Sequence, residues 1–497
     1  MLLHINNKAA LLILLALTLT ILIGRTPFQG DPILSCATVD NFLGTDIIPD
    51  SNKIKDSGLK FPAVYAAQCI PPILLSRLLN YVSSTSAWFT LTLPLFSIFL
   101  TLLMALGLNK LVLELDSNPN LPTKQFPLIC LLILTSPLLV YSRTLYSEVL
   151  QSCLLVWGYY FWIRLSKSDS SVRATQALIG LSSMLFLLVN LKVIYYYIVP
   201  LLFIALIKRS NYSSIKKTTV IVTLIVSVGL STLSTTLYNY FRYGSFLDSG
   251  YSQGKDLLLG FNHALLTGLF GQILSSGKGL IWYAPCLFLL IITIPRFWKT
   301  NKIVCIELLA LIIPLLLIHS KWWSWGGDWS WGPRFLVPVL PFLFLPIFYL
   351  DLKLILTRLA LTITAILGAT INLLGVVINP FDYYEISAQI FQKLSNTSTQ
   401  LAVNDHVFLH FIPEFSPISA HWWLLKCKLS GTEACTNTAP WDYYNILSLN
   451  KLATPAPNWD LLGAIPSSNT FVLIAISCFY LTLILLLCLI CRSSNSN

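Results

Sequence analysis

Runs of about 20 apolar residues recur from one end of this chain to the other, and no other feature constrains its fold as strongly. As a helix, a run of that length spans about 30 Å, the thickness of a bilayer's hydrocarbon core. There every backbone polar group must be satisfied within the segment or against other protein, which leaves helices or closed barrels. Of 497 residues, 55% are apolar and only 11% charged, and the mean hydropathy is +0.72. The composition predicts an all-α polytopic membrane protein. Counting runs predicts a bundle of about twelve transmembrane helices. Eight lie near 8–24, 86–108, 218–240, 279–295, 303–319, 335–350, 355–378 and 470–491. The stretches 125–163 and 175–207 are too long for one crossing, and Tyr141-Ser-Arg143 and Asn190-Leu-Lys192 divide each into a hairpin. The first run has no small-x-small cleavage site after it, so it is kept as a span rather than a signal peptide.

The formal net charge of +11 would suit nucleic acid if it were clustered on one surface, but its distribution follows the spans. Half of the 32 Lys and Arg fall in short connections on one side, with only Glu114, Asp116, Asp169 and Asp351 among them. That bias marks the cytoplasmic side, so both termini are expected there and no nucleic-acid partner is needed. The long connections 25–85, 241–277 and 379–469 then face the exterior. Within them, 62–80 (broken by Pro71-Pro72) and 262–274 are apolar without spanning, the pattern of helices lying in the interface. The last connection is either a small cap or an irregular lid. No internal repeat and no long central cytoplasmic loop supports a two-halved transporter. Most of the eleven cysteines sit inside apolar runs as small core residues. Cys36 and Cys69 share the first outer connection and Cys427 and Cys435 the last; either pair suits a disulfide in an oxidising compartment, and sequence alone cannot supply the geometry.

The segment Lys321-Trp-Trp-Ser-Trp-Gly-Gly-Asp-Trp-Ser-Trp-Gly-Pro-Arg334 carries five indoles and three glycines between two apolar runs. Indoles favour the headgroup region and glycines allow close backbone approach to a ligand. An aromatic belt would explain the tryptophans; Asp328 and Arg334 beside them point instead to the rim of an outward-facing site, with Trp325 and Trp329 as stacking surfaces. Thr144, Ser147, Glu148 and Gln151 fall on one face of an otherwise apolar span. Lipid does not tolerate that face, so it either ties helices together by hydrogen bonds or lines a wet cavity. Asp31 follows the first span and is placed to act as a general base at the membrane surface, although a loop Asp is more often simply solvated. Arg143, Lys192, Arg242, Lys278 and Arg334 all fall at outer span ends. They are either snorkelling anchors or a cluster suited to a phosphate. His406, His410 and Glu414 recur every four residues, but Pro413 interrupts them; a structural role is favoured and a divalent metal stays open. The chain has no Walker A sequence, no GxGxxG after a strand, no HExxH and no Asp-x-Asp, which argues against a cytoplasmic nucleotide-using enzyme.

Over roughly 1–350 the arrangement resembles the GT-C superfamily of polyprenyl-phosphate-dependent glycosyltransferases, in its protein-mannosyltransferase-like (family 39-like) group. The resemblance lies in one helix, a long first outer loop with an acid near its start, a seven-helix module and a second outer loop. Locally it rests on Tyr141-Ser-Arg143 with Glu148, Asn239 to Ser245 with Gly250-Tyr251, Ser276 to Leu280 with Tyr283-Ala-Pro285, and the Trp/Gly loop ending at Arg334. It implies a GT-C-like catalytic module over 1–350 and C-terminal helices with an outer cap or lid over 351–497. By the same resemblance Asp31 falls on the catalytic acid and Glu148 on the second acidic position, where many members have Asp. It also implies donor-phosphate binding by the five basic residues, sugar or acceptor contacts from Tyr251, Trp325, Asp328 and Trp329, and an inverting transfer on the exterior of a bacterial plasma membrane. The donor would be a polyprenyl-phosphate-linked sugar and the acceptor a glycan, lipid or protein. Two other readings stay open: an O-antigen ligase or polymerase using a diphosphate-linked glycan, and a lipid or solute transporter. The first usually needs late-loop arginines, which this chain lacks; the second would place its charges near mid-membrane.

Overall fold

A computed structural model describes residues 2–22, 31–45, 47–48, 61–82, 87–115, 122–168, 170–208, 217–248, 260–327, 330–378, 383, 387, 406–430 and 469–492. Among them every regular element is helical. Six helices are long and apolar enough to cross a membrane: Leu91–Leu115, Ser171–Leu191, Lys217–Tyr243, Lys302–Lys321, Ile355–Val377 and Leu473–Cys491. Shorter apolar helices occupy Lys8–Ile21, Gln125–Leu134, Val193–Leu206 and Arg334–Tyr349. The chain is therefore a multi-pass helical membrane protein. The expected count of about twelve spans is finer than this, and proline is one reason. In the Arg334–Tyr349 stretch, Pro338, Pro341 and Pro346 remove backbone donors, and the run alternates between 3-10 and α-helix. At both expected breaks the helix is interrupted. Pro122–Leu134 gives way to turns and a short helix, Leu138–Tyr141, before Ser147–Lys167 begins. Ser171–Leu191 ends at Lys192, whose backbone is extended.

Ser147–Lys167 is the central helix, packed mainly on Ala87–Leu115 and Ser171–Leu191. Lipid supplies no hydrophobic drive between helices, so close contact depends on small residues facing large ones. Trp157 lies over Gly107, where an added Cβ would come within 2.8 Å of its ring, and Phe161 lies over Gly180 at 2.7 Å. The Trp157 indole also donates to the Leu103 carbonyl at 3.0 Å. The last helix, Asn469–Arg492, returns to pack on Leu2–Ile21 and Pro122–Leu134, with Thr18 and Thr482 hydroxyls 3.2 Å apart. Both ends of the chain thus belong to one bundle.

Of the long last connection, the described part folds back onto the bundle. His421, in the Pro417–Ser430 helix, is wholly buried, its ring 4.6 Å from that of Trp331. Its Nδ1 lies 3.1 Å from the Leu374 carbonyl, which assigns the proton to that nitrogen. Burial pushes its pKa from 6.5 down to about 4. The unfolded chain therefore binds a proton that the folded one refuses between those values. This contribution to stability is complete above pH 6.5 and is lost as pH falls through 4, about 3 kcal/mol in all. The unfolding midpoint in detergent is expected to drop across that window. His421→Asn keeps a donor for Leu374 without titrating and is expected to flatten the slope; an unchanged slope would remove His421 as its source.

Candidate functional site

Both acids singled out by sequence open a helix. Asp31 and Pro32 begin Asp31–Leu43, and Glu148 sits in the first turn of Ser147–Lys167. Helix starts favour carboxylates, because unpaired amide N–H groups and the helix dipole both present positive charge there. Lys192 caps the end of Ser171–Leu191, and Arg334 starts the Arg334–Val339 segment. These four ends meet. Arg334 donates from its Nη2 to Asp31 Oδ2 at 2.8 Å and from its Nε to Glu148 Oε1 at 2.9 Å. Lys192 Nζ approaches the same Glu148 oxygen at 3.6 Å.

Burial separates their roles. The Glu148 side chain is 0% exposed and that of Arg334 9%, whereas Asp31 and Lys192 keep 30% and 26%. A carboxylate sealed from water needs counter-charge, and Glu148 has two cations on one oxygen. Asp31 and Lys192, one acceptor and one cation, form the partly exposed edge of the cluster. Aromatic faces complete the wall. The Arg334 guanidinium lies 4.2 Å from the Tyr146 ring, and Lys192 5.2 Å from Phe335, which in turn stacks on His319 at 4.5 Å. Below Glu148, Tyr195 donates to Gln151 at 2.5 Å and Gln151 to Ser147 at 2.8 Å. Of the two roles the sequence left open for this polar face, the helix-tying one is seen at Ser147 and Gln151, while Glu148 reaches the charged cluster.

Among the described contacts, none of the other basic candidates joins this cluster. The Arg143 Nη1 donates to the Leu22 carbonyl, tying the hairpin to the end of the first helix. Arg242 donates to the Phe61 carbonyl at 2.8 Å and to Asn239 at 2.5 Å, with its guanidinium 4.3 Å from the Tyr238 ring. Lys278, wholly buried, donates to the Ser330 carbonyl at 2.6 Å. Each holds backbone that surrounds the site. Of the tryptophan loop, Trp325 is 6% exposed, wedged over Gly271 and 4.9 Å from the His410 ring. Its indole is taken up by packing. Trp331, 1% exposed, bonds Asn372 at 3.3 Å, and its carbonyl accepts from Tyr141 at 2.9 Å. The loop is thereby anchored from several sides, and Gly332, at φ 62°, makes the turn that delivers Arg334. Tyr251, Asp328 and Trp329 lie outside the described residues, as does the side chain of His406. Among the described residues no group of three or more His, Cys, Asp or Glu could hold a metal ion.

Cys36 and Cys69 are joined in a disulfide, both wholly buried. Cys435 lies outside the described residues, so the second pair has no structural account. The bridge ties Asp31–Leu43 to the short helices Ala63–Ala67 and Ile70–Val82, which cover part of the stretch expected to lie in the interface. Leu78 and Tyr81 on the second are 63% and 79% exposed, as is Leu266 (79%) on Leu265–Ile273, the counterpart of the other expected interfacial segment. Sequence reasoning missed Tyr146 and Phe335, although each lies within two residues of a charge it had singled out.

What fold and geometry define is a helical multi-pass membrane protein whose helix ends gather two carboxylates, a guanidinium and an ammonium at a partly open edge. No family model and no curated protein matches the chain. Among solved structures it is similar to ArnT from Cupriavidus metallidurans bound to undecaprenyl phosphate, at 10% identity and a TM-score of 0.46, over 99% of this chain and 77% of that one. The same protein in its apo state is similar at 10% identity and 0.46, over 98% and 77%. A likeness of this size leaves the function to be argued from the site.

Proposed function

We propose that this protein is a membrane glycosyltransferase that moves a sugar from a polyprenyl-phosphate carrier to an acceptor hydroxyl on the extracytoplasmic side, inverting the anomeric configuration. The observation that carries the reading is the convergence of Asp31 and Glu148, 117 residues apart in sequence, on the single side chain of Arg334 beside Lys192. A pure helix-tying network would not leave a carboxylate and an ammonium at its open edge. In the reaction the acceptor oxygen attacks the anomeric carbon, and Asp31 takes its proton as the new C–O bond forms. The bond between that carbon and the phosphate oxygen breaks, and negative charge grows on the departing polyprenyl phosphate. Lys192 and Arg334 stabilise it. Glu148 holds Arg334 in place, and Arg143, Arg242 and Lys278 hold the surrounding backbone rather than the phosphate. The exposed apolar faces of Ile70–Val82 and Leu265–Ile273 flank the route for the carrier's tail.

The test is to incubate the purified protein with a panel of undecaprenyl- and dolichyl-phosphate hexoses and pentoses. Consumption of one of them with release of polyprenyl phosphate is expected. Consumption of diphosphate-linked glycans alone would favour a ligase or polymerase. Within this scheme Lys192→Met is expected to lower kcat/KM for the donor about 100-fold. Its melting temperature should stay close to wild type, since Glu148 keeps Arg334. Wild-type kcat/KM in that variant would remove Lys192 from the phosphate site.

A further inference from the structure

Tyr65 lies in the short helix Ala63–Ala67, which three separate contacts pin against the site. Just before it, the Phe61 carbonyl accepts from Arg242 at 2.8 Å. Just after it, Gln68 donates to the Leu145 carbonyl at 2.9 Å, three residues before Glu148, and Cys69 is bonded to Cys36. Ala63–Ala67 packs against Asp31–Leu43 and Ser171–Leu191, and Tyr65 feels the charges of Asp31, Arg334 and Glu148. Tyr65 is therefore held between the segments that carry the two acids, its ring fixed edge-on to Phe61 at 5.0 Å.

Its hydroxyl differs from those of four other buried tyrosines. The buried tyrosines 141, 195, 283 and 383 each donate to an oxygen. The Tyr65 hydroxyl is equally buried and has no hydrogen-bond partner among the described residues. Glu148 Oε2 is in the same position, buried and unpartnered, while its other oxygen holds Arg334 and Lys192. Other buried polar atoms also lack a partner among the described residues; what sets these two apart is that a donor and an acceptor stand around one charged cluster. Burial and the Asp31 charge raise the Tyr65 pKa well above its ordinary value, so the phenol stays protonated and can donate.

The polarity of the two atoms selects the ligand group. An anionic oxygen would satisfy the phenol but oppose Glu148, and an ammonium would satisfy Glu148 but leave the phenol without an acceptor. A hydroxyl satisfies both, accepting one hydrogen bond and donating the other. We infer that Tyr65 is a further substrate-binding residue, and that its hydroxyl and Glu148 Oε2 together recognise one hydroxyl of the transferred sugar. The group enters by the open edge at Asp31 and Lys192 and displaces neither ion pair of Arg334. This inference rests on the glycosyltransferase reading and narrows it to sugars bearing a hydroxyl at that place.

The test uses the carrier-linked sugar consumed in the panel above and its analogues, each lacking one hydroxyl. Wild type is expected to turn over one analogue at least about 10-fold more slowly than the parent, because removing that hydroxyl leaves two buried polar groups unpaired. Tyr65→Phe keeps the ring and is expected to slow the parent sugar by a similar factor while treating parent and that analogue nearly alike. A purely structural tyrosine would slow every sugar equally and keep the discrimination intact, which would overturn the inference. So would a Tyr65→Phe enzyme with full wild-type turnover. If wild type consumes no member of the panel, the enzyme reading itself fails; the two failures are thus distinct. The melting temperature of Tyr65→Phe, expected near wild type, separates lost recognition from lost fold.

Discussion

Asp31→Asn is expected to reduce sugar transfer by about 1,000-fold or more, in the upper range for loss of a general base, while the protein expresses, folds and melts near its wild-type temperature. The asymmetry follows from where Asp31 stands. Its side chain is 30% exposed, so it is partly solvated, and Arg334 keeps Glu148 as a buried counter-charge whatever stands at position 31. Asparagine is nearly isosteric and can still accept the Arg334 hydrogen bond, but it cannot take a proton from the acceptor hydroxyl. Rate should therefore collapse with little change in structure. Initial rates on the sugar identified in the panel, with thermal unfolding on the same preparation, measure both. An Asp31→Asn protein that transfers at near-normal rate would remove Asp31 as the base, and the proposed mechanism with it.

Arg334→Met is expected to harm stability and activity together. Arg334 is the direct partner of both carboxylates, and Glu148 is wholly buried. Removing one side of a buried pair costs about 3–5 kcal/mol, because the charge left behind has lost its counter-ion. Lys192, at 3.6 Å, can only partly replace it. The origin of the loss can be isolated. In Arg334→Met/Glu148→Gln the orphaned charge is gone, so much of the lost stability should return, while transfer stays absent because the leaving phosphate still lacks its guanidinium. A double variant no more stable than Arg334→Met would mean that Arg334 acts through packing, for instance against Tyr146 at 4.2 Å, rather than through Glu148.

The parts of this site that were legible in sequence were those that violate the membrane's rules. Glu148 drew attention because a carboxylate in an apolar run must have a compensating partner, and Arg334 because a charge among tryptophans needs a reason. Which partner each takes was not legible. Arg143, only five residues from Glu148, was grouped with the anchor or phosphate candidates; it bonds the Leu22 carbonyl, and Glu148 pairs with a residue 186 positions away. Lys278 looked like a phosphate ligand and instead holds the loop that delivers Arg334. Trp325 looked like a sugar platform and is packed over Gly271. In each case the residue type suited more than one role, and only long-range packing chose between them.

Apolar run length, the bias of basic residues and the breaks at Tyr141–Arg143 and Asn190–Lys192 were properties of the sequence itself. Each follows from short-range physics: the thickness of the bilayer, the satisfaction of backbone polar groups within a helix, and the penalty for a charge in lipid. The meeting of Asp31, Glu148, Lys192 and Arg334, the disulfide beside them and the unpartnered Tyr65 hydroxyl were decided only by the tertiary structure. They depend on which helix ends come together, and that is set by the fit of glycine notches to aromatic side chains far apart along the chain, a relation that no local pattern records.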